Sequence, residues 1–445
     1  MIKKGFILSL AIGLWIAGTG VPQSFADEKY EPEALFLTWQ NDPTTTMTID
    51  WHTVPGEKVR PPALLYREKD SDREWKKTVG TLHAFPYTSR TISRVELTGL
   101  NPGTMYEFQI GPPASERYPF VPSKTYAFRT MPDQLDEPIR VAVGGDNGVW
   151  TGFPVIAYQA MQHDIDFVAL GGDLAYSDGG DRDWRTDDEG FLYPYGGEAK
   201  SRWIDWFDIV NDQLITEEGR VIPVLTGIGN HEVWRAYTHR HEQYQQTDEW
   251  RERIAPFYYN LFAFPGQPGY AVLDFSDYMS WIFLDSGHSN PVEGEQTAWL
   301  EQVLAERTNV SHVYPIYHIA SFPTVRNFDS EIQTVMRKKW GSLFEQYNIE
   351  VAFENHDHTY KRTYPIRNGE IDPEGVVYMG DGAFGLGEVF GRGGRGDRIH
   401  DVDDTWYLKR VASDAHFILL TLDSNGARYE AINYTGDVID RYPEE

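Results

Sequence analysis

Five short segments set oxygen and imidazole donors where predicted strands end. Asp146 follows Val141-Ala142-Val143-Gly144-Gly145, and Asp173 and Tyr176 stand in Gly172-Asp173-Leu174-Ala175-Tyr176. Asn230 and His231 lie in Gly229-Asn230-His231-Glu232, His318 ends Val313-Tyr314-Pro315-Ile316-Tyr317, and His356 and His358 flank Asp357. Hard and borderline metal ions bind this mixture of carboxylate, amide oxygen and imidazole. A bridging carboxylate can hold two cations about 3.5–4 Å apart, close enough to act on one phosphate. Asp173, central in order, is the natural bridge. Each residue alone has an ordinary explanation: a turn Asp before Gly, a packed Tyr, a helix-capping Asn, a satisfied core His. The order and strand-end setting of all five carry the metal reading. His239-Arg240-His241 repeats the His-x-His spacing in a polar stretch at no strand end, and is expected on the surface.

Strands alternating with helices must position these residues. Strands are expected at Ile139–Val143, Phe167–Leu170, Val221–Leu225, Trp281–Leu284, Val313–Tyr317 and Val351–Phe353. Helices are expected at Pro154–Gln162, Glu295–Arg307 and Ser330–Tyr347. Such alternation builds a sheet with helices on its faces, and ligands collect at the carboxyl ends of its strands. The tail from His416 to Tyr442 reads as hairpin strands around Asn425-Gly426 that return to the sheet. Upstream, Ala34 to Thr130 reads as short strands with turn signals every 8–12 residues, the pattern of an all-β sandwich. The run Leu97–Tyr106 looks like a fibronectin type III corner, in which Tyr106 turns its hydroxyl back onto the backbone. The expected division is a leader over 1–26, a fibronectin type III-like β-sandwich over 27–131, a Pro-flanked linker over 132–138 and an α/β metal domain over 139–445.

These segments together resemble the calcineurin-like metallophosphoesterases and, more narrowly, the purple acid phosphatases. The resemblance covers nearly all of the chain after the leader and implies a four-layer αββα sandwich behind the N-terminal β domain. Two coupled positions narrow it. Most of the superfamily has Asp-x-His in the first segment, whereas Gly148 stands in the third place here. Purple acid phosphatases lack that His and use a Tyr three residues after the bridging Asp, where Tyr176 stands. The resemblance implies a ferric metal 1 on Asp146, Asp173, Tyr176 and His358. It also implies a divalent metal 2 (Fe, Zn or Mn) on Asp173, Asn230, His318 and His356. His231 matches the residue that touches the phosphate or helps the leaving group, and the attacking hydroxide is held by metal. Asn355 stands where the family has Gly; Asn tolerates positive φ, so the turn there is expected to survive. The substrate-binding His residues that plant-type relatives carry after the fourth segment are missing from Ile319–Arg326.

A formal charge of −27 argues against nucleic acid as a partner, because phosphate-backbone binding needs a basic face. A small phosphorylated substrate remains compatible when metals supply the positive charge. Lys3 and Lys4, an apolar run and Ser24-Phe25-Ala26 read as a cleaved secretory signal, implying export to periplasm or medium and no membrane attachment afterwards. There is no Cys, which excludes disulfides and a thiolate nucleophile. Asp178–Glu189 carries six acids without calcium-loop spacing and reads as a solvated loop. Gly391–Arg398 sets Arg392, Arg395 and Arg398 among glycines; Arg392 and Arg395 are candidates for phosphate binding, against a plain surface loop. The favoured function is hydrolysis of phosphate monoesters. Phosphodiester hydrolysis at the same site, or an exported binding protein with structural metals, are the alternatives; oligomeric state is open.

Overall fold

The computed structural model describes residues 30–53, 61–111, 122–177, 184–186, 192–194, 197–233, 246–380, 382–391 and 393–444. The leader, His239, His241, Arg392 and most of the acidic loop lie outside the described residues.

Two four-stranded antiparallel sheets form the N-terminal sandwich. One has the order Glu33–Thr38, Met47–Thr53, Thr91–Leu97, Thr81–Ala84; the other runs Lys76–Val79, Ala63–Glu68, Met105–Gly111, Tyr126–Arg129. Alternation along the first strand explains its two-sided burial. Leu35 and Leu37 turn into the large core between sheets, while Phe36 faces away and packs edge-on against Phe207 of the helix Gly197–Gln213. The Asn101 amide donates to the Tyr106 hydroxyl at 2.9 Å, which makes the expected corner.

Beyond Pro138 the chain forms two mixed sheets packed face to face. The first has six strands in the order Val224–Thr226, Phe167–Leu170, Ile139–Gly144, His416–Asp423, Gly426–Asn433, Val438–Tyr442. The second has seven, in the order Ala271–Phe275, Met279–Phe283, His312–Ile319, Val351–Asn355, Val377–Gly380, Tyr360–Thr363, Leu408–Ala412. The strands that precede the candidate ligands run parallel within each sheet, so their carboxyl ends share one edge.

Period-two alternation sorts the apolar side chains into layers. Val141, Val143, Phe167 and Ala169 face Trp281, Phe283, Val351 and Phe353 across the intersheet core. The residues between them face outward: Ala142, Val168 and Leu170 meet Phe153, Ile156 and Ala160 of the helix Gly152–Met161. On the other side Ile282 and Ala352 meet Leu300, Leu304, Trp340 and Phe344. The result is helix, sheet, sheet, helix. Strands buried on both faces must read as near-continuous apolar runs, and these do.

Most boundaries shift by a residue or two, and three departures from expectation go further. The third strand of the first sheet is Val224–Thr226, because Val221 pairs instead with Ile215. The helix expected over Ser330–Tyr347 carries a π turn at Arg337–Gly341 between Glu331–Met336 and Ser342–Gln346. Asn355 does not take positive φ: it ends an extended strand, and the left-handed turn falls on His356 at φ 85°. The Asn355 amide donates to the Tyr317 carbonyl at 2.9 Å and fills the space against Gly145 and Gly171, where a Cβ would collide with it. Among the described residues no helix is long and apolar enough to cross a membrane.

Candidate metal centre

The shared edge of the two sheets brings the expected donors together. Asp146 follows the strand Ile139–Gly144, Asp173 and Tyr176 follow Phe167–Leu170, and Asn230 follows Val224–Thr226. From the second sheet come His318, inside His312–Ile319, and His356 and His358, just after Val351–Asn355. Donor atoms of Asp146, Asp173, His318 and His356 all lie within 4.8 Å of one another, and all four residues are buried. Tyr176 Oη is 2.9 Å from Asp146 Oδ1 and 3.1 Å from His358 Nε2. Asn230 Oδ1 is 3.1 Å from His318 Nε2.

Packing this many acceptors together is unfavourable without a cation among them. Two backbone carbonyls sharpen the point. His318 Nδ1 faces the Gly171 carbonyl at 3.1 Å, and His358 Nδ1 faces that of Gly393 at 2.8 Å. Each carbonyl takes the Nδ1 proton, which leaves the Nε2 lone pair as the group aimed inward. His318 Nε2 then meets Asp173 Oδ2 at 3.1 Å and His356 Nδ1 at 3.0 Å, while His358 Nε2 meets Asp146 Oδ1 at 3.0 Å. Lone pairs converging on carboxylates in a buried space fit metal ions.

The buried charges shift one another strongly. Burial disfavours charge on His318, but Asp173 and Asp146 outweigh it and hold the ring up at about 9. Burial alone would raise Asp173; His318 and His231 keep it well below the ordinary carboxylate range. Burial, followed by the charges of Asp146 and Asp173, pushes the Tyr176 phenol well above its usual value. Both shifts favour the protonated forms of His318 and Tyr176, so a cation binding here would have to displace a proton from each. Burial, with Arg326 beside it, holds His356 neutral.

His231 lies at the rim with 23% of its side chain exposed. Its amide donates to Asp173 Oδ1 at 2.7 Å, its Nε2 is 3.8 Å from Asp173 Oδ2, and its ring lies 4.1 Å from that of Tyr176. Arg395 reaches the site from the loop that also supplies Gly393, its Nη1 3.2 Å from the His356 carbonyl.

Several supporting residues escape sequence reasoning. Glu232 is buried, and its carboxylate accepts the amides of Asp173 at 2.7 Å, Gly229 at 2.7 Å and Leu174 at 2.8 Å. It thus ties the segment holding Asp173 to the segment holding Asn230. Burial and the charge of Asp173 push Glu232 up to about 8. Gly382 is φ +73°, and a Cβ there would lie 1.9 Å from Asp146 Oδ2. Glu232 looks like any surface acid in the sequence; the available signal for Gly382 is its place just past another strand of the same sheet. The backbone is also strained at the donors. Asp146, Asp173, Tyr176, His356 and His358 all take left-handed φ, which is unfavourable for such residues and typical of functional sites.

Residues 32–130 match the family model described as "Purple acid Phosphatase, N-terminal domain". Purple acid phosphatase 13 of Arabidopsis thaliana is 26% identical over 68% of this chain, and the match spans 56% of that protein's own length. The Fe(3+)-Zn(2+) purple acid phosphatase 12 of the same plant is 24% identical over 77% of this chain and 68% of its own. The solved purple acid phosphatase from yellow lupin superposes with a TM-score of 0.70 at 18% identity, covering 92% of this chain and 74% of that one. N-terminal domain, relatives and fold agree: residues 32–130 match the N-terminal domain of purple acid phosphatases, and the chain as a whole is similar to such proteins in sequence and in fold.

Proposed function

We propose that the chain is an exported phosphatase that hydrolyses phosphate monoesters at a dinuclear metal site. The observation that carries this reading is the convergence of His318 Nε2 and His358 Nε2, their tautomers fixed by the Gly171 and Gly393 carbonyls, on two buried carboxylates. Asp146, Asp173, Tyr176 and His358 would hold one ion, and Asp173, Asn230, His318 and His356 the other. An anionic phenolate on the first set suits Fe(III), and the neutral imidazoles and amide on the second suit divalent Fe, Zn or Mn. A relative named for Fe(3+) and Zn(2+) supports that pairing. When bound, the ions supply the positive charge that polarises a phosphoryl group and acidifies water.

The chain's own residues do the rest. Asp173 fixes the spacing of the two halves of the site, because Glu232 and the His231 amide hold its backbone and side chain. His231, partly exposed and with its ring tilted over that of Tyr176, would donate a proton to the departing alkoxide oxygen. Arg395, half-buried at the rim, offers a guanidinium to substrate oxygens. Arg392 is assigned the same role from its position in the same glycine-rich loop. The division into leader 1–26, sandwich 27–131, linker 132–138 and metal domain 139–445 belongs to this reading, as does export through the leader.

Metal analysis of the purified chain, with a panel of phosphate mono- and diesters before and after chelation, tests the activity. Monoester turnover that disappears on chelation and returns with iron plus zinc is expected. Turnover unaffected by chelation would sink the reading. N-terminal sequencing of exported protein should begin at Asp27.

A further inference from the structure

Two guanidiniums from different loops meet beside the metal site. Arg326 comes from the loop after His318, and Arg395 from the loop after the strand Val377–Gly380. Both point at one acceptor: Arg326 Nη2 is 3.4 Å and Arg395 Nη1 3.2 Å from the carbonyl oxygen of His356. Neither side chain is fully exposed. Two like charges brought to one carbonyl oxygen repel, and a single neutral acceptor does not offset that.

Their compensation is unequal. Arg326 Nε lies 3.0 Å from Oδ1 of the fully buried Asp357. The other Asp357 oxygen is held by the amides of Thr324 at 2.7 Å and Val325 at 2.9 Å, so that carboxylate is fixed and committed. Arg395 has no carboxylate within 4.0 Å among the described residues. In a chain of net charge −27, a half-buried cation beside a second one, with no carboxylate partner among the described residues, is unusual. Its loop is pinned to the site through the Gly393 carbonyl on His358, 2.8 Å away, so Arg395 stays near the donors.

We propose that Arg326 and Arg395 form an anion subsite beside the metal centre that grips a second phosphate on the same substrate. The inference rests on the phosphatase reading and deepens it: preferred substrates are bisphosphorylated esters or phosphoanhydrides rather than esters of uncharged alcohols. Two guanidinium forks offer more donors than one carboxylate can accept, and a tetrahedral phosphate with three free oxygens matches them. The loop Ile319–Arg326, which lacks added imidazoles, supplies Arg326 instead.

Calorimetry on the metal-loaded full chain tests this with orthophosphate and methylenediphosphonate, whose P–C–P bridge is not hydrolysed, as probes. Wild type is compared with Arg326→Gln, Arg395→Gln and the control Arg428→Gln. Arg428 is 53% exposed and pairs with Asp423, so its loss makes the same charge change far from the site's loops. Chelation of free metal by the probe is common to all four proteins and cancels. Methylenediphosphonate should bind wild type and Arg428→Gln about 10–100-fold tighter than orthophosphate, the range for charge-assisted hydrogen bonds. Each site variant should lose at least tenfold of that preference. An unchanged preference in both site variants overturns the proposal. So does an equal loss for both probes with a lowered melting temperature, which would make the pair a brace for His356. If wild type hydrolyses no phosphate ester yet shows the Arg-dependent preference, the subsite stands and the hydrolytic reading falls. Turnover with no such preference leaves the hydrolytic reading and removes the subsite.

Discussion

The Tyr176 hydroxyl donates to Asp146 Oδ1 at 2.9 Å, thirty residues earlier in the chain and on a neighbouring strand end. In the metal-free protein that phenol is held neutral by burial and by the two carboxylates. Metal must therefore displace its proton, and the proton on His318 as well. Loading with Fe(III) at pH 7 should release the Tyr176 proton and give a broad visible band from the phenolate, and adding the divalent ion should release the His318 proton. Tyr176→Phe should release one proton fewer, show no band and bind iron more weakly, while folding normally because the ring remains. Proton release in buffers of different ionisation enthalpy, with visible spectra, checks this. An unchanged band in the mutant would remove Tyr176 from the metal.

His231 and Asn230 are neighbours with different expected duties. His231→Ala should retain both metals and lose roughly 10²–10⁴-fold in turnover of substrates with poor leaving groups, the usual range for a positioned proton donor. Asn230→Ala should lower occupancy of the second metal. Metal content measured beside kcat separates the two. Full activity of His231→Ala on a poor leaving group would end its role.

Glu232 offers a test of the scaffold. Its carboxylate takes three amides, and Glu232→Gln would turn an NH₂ toward at least one of them. A buried amide left without an acceptor costs about 1–3 kcal/mol. The variant should melt earlier as metal-free protein and bind both metals more weakly, since it moves Asp173 and Asn230 together. Unaltered metal affinity with a lowered melt would mean that Glu232 supports the fold without positioning the donors.

The layered architecture is readable in the sequence because strands buried on two faces leave continuous apolar runs, as at Val141–Val143 and Phe167–Leu170. The donors are readable because all sit at the carboxyl ends of such runs. What escapes is whatever depends on partners distant in sequence. Glu232 matters through amides 58 and 59 residues away, and Asp357 through the loop 32 and 33 residues before it. Arg326 and Arg395 meet only because the strands before them lie in one sheet, with Val351–Asn355 between. Asn355 misleads for the same reason: its side chain is needed between Gly145 and Gly171, and the positive φ moves to His356.

Acid should weaken this fold through buried histidines outside the candidate donor set. His52, in the sandwich, is buried against Phe85 and Phe207 with ring centroids 5.3 and 4.7 Å away. Burial, aided by Arg90, holds it down at about 3. In the unfolded chain the ring takes a proton near pH 6.5, whereas the folded protein refuses one until about pH 3. The unfolded state thus binds more protons between these values, so stability is full above about pH 6.5 and falls as pH drops through that window. The loss by pH 4.5 is about 2–3 kcal/mol for one such ring. Burial likewise holds His416 down, at about 4, which adds a second contribution over a narrower window. Urea melts of chelated wild type and His52→Phe, from pH 7.5 to 4.5, check the sign and size. The variant keeps the aromatic contacts and removes the titration, so its advantage should grow steadily as pH falls. A difference that stays flat with pH would mean that the folded protein protonates His52 readily.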